Sequence, residues 1–331
     1  MSYQTGSSTG ALDLLDKLRV FCAAEGWTVN RNTSTDSGSG QELCLSKGAS
    51  YFNFKAGQNI SMLVNSFNQA GKFGLQLNGS DGYDGGSAWD RQPGYPKRTS
   101  GSNDQFTSLV PFVTNLGAFP AYYFFSHNGG DVIHVEIEVN TGIFQRFGFG
   151  KLDLYDATTA GDGRYFFGTG AEHVTDSTGS TTVWLGAETG STFSLEEGPF
   201  MSAAFTKSAA RTGSAVRCAV GAFDNWAQCA YQNSIAYTGQ ACVAMHDRII
   251  HMASPNPLNG VGVMTPINVS VVRSDLNYHP LGVVHGIRYL DMTNYQPGDE
   301  FVLGSDTWKV FPIYNKGGRS YELGLAHLKV V

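Results

Sequence analysis

Residues 122–153, YYFFSHNGGDVIHVEIEVNTGIFQRFGFGKLD, alternate apolar and polar side chains with a period of two, which suits a β-strand and not a helix. Ile133, Val135, Ile137 and Val139 share one face of such a strand. His134, Glu136 and Glu138 share the other, with His127 just upstream. The polar row reads as the wet face of a half-buried antiparallel strand. It is also a candidate metal set, because side chains two apart project the same way. A working site needs ligands from other strands and an acceptor to orient His134.

Five segments between 121 and 186 predict a β-meander: AYYFFSH, DVIHVEIEVN, FQRFGFGKLDLYD, GRYFFGT and TTVWLGA. Gly-rich turns separate them, including HNGGD at 127–131. Glycine supplies 41 of 331 residues, against a usual ~7%, and charged residues only 15%, against ~25%. Both fit strands and tight turns, and the scarcity of charge also fits a surface partly covered by neighbours. The tail, 261–331, reads as β again, with QPGDE at 296–300 as a Pro-Gly turn.

One helix is expected, ALDLLDKLRVFCAAEGW at 11–27. Leu14, Leu15, Leu18, Phe21 and Cys22 form its apolar stripe, and Asp13, Asp16, Lys17 and Arg19 take the other side. Ser8 or Thr9 is placed to cap its start and Gly26 to end it. NRNTSTDSGSGQ (30–41) reads as a loop or long hairpin tip, ELCLSKG and YFNFKAG as short strands, and ISMLVNSFNQA (60–70) as strand or helix. A Gly-, Asp- and Pro-rich loop spans 77–105, and loops of that length in compact proteins are usually functional or interfacial. The expected fold is therefore mainly β, with antiparallel β-sandwich or barrel-like domains and one N-terminal amphipathic helix. The expected division is 1–106 and 107–331, with 187–260 a weakly patterned insertion.

A net charge of −6 argues against non-specific nucleic-acid binding. The longest charge-free apolar stretch, 107–125, carries Pro111, Thr114, Asn115 and Pro120 and makes a poor membrane helix. MSYQTGSSTG lacks the basic start and apolar run of a secretory signal, so the sequons at Asn32, Asn59, Asn78 and Asn268 carry no weight. The five cysteines include no CxxC pair, which argues against a cysteine zinc site; Cys218, Cys229 and Cys242 lie close enough along the chain for one bridge.

Other chemical motifs are weak. His246 and His251, beside Asp247, miss the HExxH spacing. GSSTG at 6–10 has no preceding strand and is no nucleophile elbow. Asp81, Asp84 and Asp90 miss the calcium-loop spacing, which leaves a flexible surface loop. Tyr83, Trp89 and Tyr95 beside them are candidate interface residues, being of the types that anchor subunit contacts. No glycine-rich loop lies between a strand and a helix, so no nucleotide cofactor is expected.

Three stretches carry a resemblance. ALDLLDKLRVFCAAEGWTV resembles an opening segment of structural proteins of tailed bacteriophages. YYFFSHNGGDVIHVEIEVNTGIFQRFGFGKLD and PLGVVHGIRYLDMTNYQPGDEFVLGSDTWKVFPIYNKGG resemble the same group more strongly. The similarity covers the first ~30 residues, roughly 120–186 and roughly 275–331, and its strings mark fold without chemistry. It implies a virion component of the tail, neck or baseplate, assembled in the host cytoplasm. Its partners would be copies of itself in a ring and other virion proteins. It supplies no catalytic residue and no cofactor, and the chain is read as not an enzyme. The 77–105 loop and an exposed N-terminal arm are the expected contact elements. Two alternatives stand beside this reading: a glycan- or receptor-binding module using Trp89 or Trp226, and a metal-dependent hydrolase built on His134 and Glu136.

Overall fold

The computed structural model describes residues 2–58, 73–95, 109–110, 118–156, 163–168, 171–175, 181–184, 217–219, 226–228, 241–245, 255–272, 278–312 and 323–329. The 60–70 segment, the end of the 77–105 loop, most of 187–260, and His246, Asp247 and His251 lie outside them.

The described chain is mainly β, with antiparallel sheets and one α-helix. In order it forms β1 (Ser2–Ser8), α1 (Ala11–Ala24), β2 (Thr28–Thr35), β3 (Gly40–Lys47), β4 (Ser50–Gln58), β5 (Phe73–Ser80), β6 (Leu109–Val110), β7 (Phe119–His127), β8 (Val132–Asn140), β9 (Ile143–Lys151), β10 (Asp153–Leu154) and β11 (Arg164–Gly168). There follow β12 (Ala171–Thr175), β13 (Thr181–Trp184), β14 (Arg217–Ala219), β15 (Trp226–Gln228), β16 (Ala241–Met245), β17 (Met264–Val272), β18 (Tyr278–Asp291), β19 (Glu300–Leu303), β20 (Asp306–Pro312) and β21 (Leu323–Lys329).

The larger sheet runs β1-β7-β8-β9-β11-β14-β15-β16-β17-β18-β21-β20-β19, with β10 on β18; the smaller runs β13-β12-β6-β5-β4-β3-β2. Pairing crosses residue 106 in both: β1 lies on β7, and β6, β12 and β13 join β2–β5. The larger sheet begins at β1 and ends at β19 without closing into a barrel. The expected meander holds from β7 through β9 to β11, but β12 and β13 leave for the smaller sheet.

Helix α1 buries Leu14, Leu15, Leu18, Phe21 and Cys22, the stripe expected from the sequence. It ends in paired hydrogen bonds, Trp27 N–H to Cys22 O (3.0 Å) and Gly26 N–H to Ala23 O (3.1 Å). Gly26 sits at φ 87°, the left-handed position glycine fills most cheaply. The start differs from expectation. Gly10 is the N-cap, with no side-chain cap. Asp13 instead reaches back to accept from Thr9 N–H (2.9 Å), and Ser8 is the last residue of β1. The expected N-terminal arm is thus an edge strand paired to β7.

The main core lies between α1, the smaller sheet and one face of β7–β11. It contains Leu43, Phe52, Phe54 and Leu77 on one side and Phe124, Ile133, Val135, Ile137, Phe147 and Phe149 on the other. Trp27 joins the layers: its indole N–H donates to Gly130 O (2.8 Å), and its ring meets Phe149 edge-on at 5.4 Å.

The wet-face reading of His134 and Glu136 is overturned. Both are 0% exposed, and only Glu138 is half-buried. The reason is a second cover: β18, β20 and β21 lie over the other face of β7–β9, so β8 is buried on both faces. Tyr123 and Phe125 of β7 meet Phe311 of β20 at 4.9 and 6.3 Å between ring centroids, and Phe125 stacks on His327 of β21 at 4.6 Å. No helix among the described residues is long and apolar enough to cross a membrane.

Candidate functional site

The polar row of β8 lies in the layer between β7–β11 and the C-terminal strands. In-register pairing places Glu136 opposite Tyr123 on one side and Arg146 on the other, and His134 opposite Phe125 and Gly148. Arg146 Nε–H donates to both oxygens of Glu136, at 2.7 and 3.0 Å, and its Nη2–H donates to Pro312 O. His327 Nε2 is 2.9 Å from Glu136 Oε1, and since a carboxylate only accepts, the imidazole N–H is the donor. Strand β8 thus holds β9 and β21 through one buried carboxylate, and Arg146 holds β20.

Three more histidines complete the cluster. His134 Nε2 is 2.7 Å from the Tyr165 hydroxyl. His285 Nδ1 is 2.6 Å from Asp153 Oδ2 and is partly exposed. His127 is 1% exposed, and neither of its ring nitrogens has a hydrogen-bond partner among the described residues; the same holds for Nδ1 of His134 and Nδ1 of His327. The rings form a chain. Centroid distances are 5.8 Å from His285 to His127, 5.6 Å from His127 to His134, and 5.9 Å from His134 to His327.

Two glycines make the room. A Cβ on Gly148 would fall 2.4 Å from Phe167 and 2.6 Å from His134. A Cβ on Gly286 would fall 2.5 Å from the His127 ring, and Gly286 has φ 74°.

Burial disfavours the charged form of each sealed ring. It pushes His127 down to about 3, with further repulsion from His327 and His285. His134 is held well below the ordinary range, first by burial and then by the other three histidines. His327 is lowered by burial, an effect its bond to Glu136 opposes. These three imidazoles are neutral near pH 7.

Chemically this is a cohesive polar seam. Both oxygens of Glu136 are engaged, and the His134 and Glu136 of the hydrolytic alternative are both closed to solvent. Among the described residues no three His, Cys, Asp or Glu side chains are grouped to hold a metal ion. Of the metal candidates, His134 and Glu136 enter the seam, while Glu138 accepts from Gly142 N–H (2.8 Å) at the β8–β9 turn. His285, His327 and Arg146 were not singled out from the sequence. Arg146 had a signal, since a short hairpin turn sets it opposite Glu136; the two histidines had none.

The interface candidates lie elsewhere. Trp89 is 4% exposed and packed within its own chain, so it presents no ring to a partner; Tyr83 and Tyr95 are half-buried. Their loop is ordered around buried Gln92, whose amide N–H groups reach the carbonyls of Asp84, Ser87 and Ala88 while its oxygen accepts from Asp84 N–H (2.7 Å). Two acids of this loop are used internally: Asp81 pairs with Arg164 (2.8 Å), and Asp84 accepts from Gly86 N–H and the Ser87 hydroxyl, while Asp90 is buried with Oδ2 unpartnered among the described residues. The expected surface loop around Asp81, Asp84 and Asp90 is thus tied internally by side-chain-to-backbone bonds. Leu77–Ser80, expected at its start, belong to β5.

Neither a known protein family nor a curated protein matches the chain.

Proposed function

We propose that the chain is an architectural subunit of a tailed bacteriophage particle, in its tail, neck or baseplate, that associates with copies of itself and with other virion proteins. The supporting observation is where the resembling stretches meet. Residues 122–153 and the C-terminal stretch, far apart in sequence, pack on each other through Tyr123 and Phe311, Arg146 and Pro312, and His127 and His285. Two of the strings that resemble phage structural proteins thus pack on each other, which supports a load-carrying role. For contact, edge strand β19 offers Val302 (70% exposed) and Leu303 (55%), side chains that monomeric surfaces have little reason to cluster.

The test is the mass of the purified chain by light scattering, with and without EDTA, beside a Val302→Lys, Leu303→Lys variant. A mass several times that of one chain, insensitive to EDTA and reduced by the variant, is expected. A monomer at every concentration that also binds no protein of a purified tailed-phage particle would overturn the reading.

A further inference from the structure

We propose that the histidine seam is an acid-sensitive latch: protons entering it release β18–β21 from β7–β11, while the opposite face of the same strands stays packed on α1 and the smaller sheet. The inference rests on the seam's geometry and is independent of the phage reading.

The two faces of β7–β9 are built from different chemistry. The face toward α1 is closed by Phe124, Ile133, Val135, Ile137 and Phe147, none of which titrates. The face toward the C-terminal strands carries His127 and His134, which meet His327 of β21, all three sealed, with His285 of β18 at the margin. The sealed histidines therefore all meet on one face, while on the other the Glu25 carboxylate accepts from Ser126 at the edge of α1.

The surroundings of each ring make a proton costly. The side chains acting on His127 are His327 and His285; those acting on His134 are His127, His327 and His285. Every one is a base. His327 has Glu136, but that carboxylate is already neutralised by Arg146. Asp153 faces His285, and Tyr165 offers His134 only a neutral hydroxyl. Cations formed on His127, His134 and His327 would stand ring to ring at 5.6 and 5.9 Å among buried side chains. Separation of the two layers hydrates all of them at once, so proton uptake and opening are coupled.

Hydrogen exchange followed by mass spectrometry at pH 7.5, 5.5 and 4.5, corrected for intrinsic exchange, tests this. Peptides from 278–312 and 323–329 should lose protection together at a pH where 11–24 and 40–58 keep theirs. His127→Phe retains a ring of similar shape, removes both unpartnered nitrogens, and should move opening to lower pH with a slope reduced by about one third, one of three sealed sites being gone. If His127→Phe does not fold, His134→Gln, whose amide still serves Tyr165, gives the same readout. One-step loss of protection across the whole chain, or a variant opening at the native pH, would overturn the latch. So would one equivalent of zinc per chain in the purified protein, since the ring nitrogens would then serve an ion.

Discussion

Glu136 and Arg146 stand opposite each other on β8 and β9, joined by two hydrogen bonds of 2.7 and 3.0 Å and closed to solvent from both sides. Removing one partner leaves the other charge buried. Glu136→Gln is expected to cost about 3–5 kcal/mol, read as a lower midpoint in urea unfolding. Changing both residues to Met should cost less than Glu136→Gln alone, because no isolated charge remains.

The glycines of the seam predict a graded series. Gly148→Ala drives a methyl into Phe167 and His134 and should cost about 1–3 kcal/mol. Gly286→Ala should cost more, since it adds a left-handed backbone penalty to a clash with His127. Gly38→Ala shares the positive φ (93°) but meets nothing within 4 Å, so only the backbone penalty of about 1–2 kcal/mol should appear. Thermal or urea unfolding of the three variants checks the order.

Stability should fall toward acid. Unfolded histidines take up protons near the ordinary 6.5, whereas folded His127 does so only at about 3, and His134 and His327 are also lowered. Below about pH 6.5 the unfolded state binds more protons, so folding loses roughly 1.4 kcal/mol per pH unit for each fully depressed histidine. Above that pH these groups add no slope. Urea midpoints at pH 8, 7, 6 and 5 should be flat across the first pair and then drop.

Cys22 and Cys44 should resist alkylation in the native state and react on unfolding. Both are buried, and burial pushes the Cys22 thiol far up and the Cys44 thiol up to about 12. Mass spectrometry of the peptides holding each cysteine, after iodoacetamide with and without urea, reads this directly.

Much of the local structure was legible in the sequence. The stripe of α1 and its stop at Gly26 follow from spacing and one glycine, and β7, β8, β9 and β11 follow from alternation between Gly-rich turns. The seam was not, because alternation tells which side chains share a face and not whether that face is covered. A hint existed in Tyr123 and Phe125. They fall directly opposite Glu136 and His134, so a wet face would have had to expose two large aromatic rings. The covering residues Phe311 and His327 arrive far downstream, and no local pattern announces them.

The bond between His327 and Glu136 spans 191 residues, and that between Arg146 and Pro312 spans 166. On a ribosome working from the amino terminus, β7–β9 emerge long before the strands that cover them. Until β18, β20 and β21 follow, an ion pair and a row of aromatic rings have water on one side. A chain stopped before β21 would lack His327 and Leu325 and leave Glu136 and Phe125 without that part of their cover. Contacts of such separation slow folding and lengthen exposure to aggregation. The seam therefore closes late: its buried face is complete only once β21 has joined it.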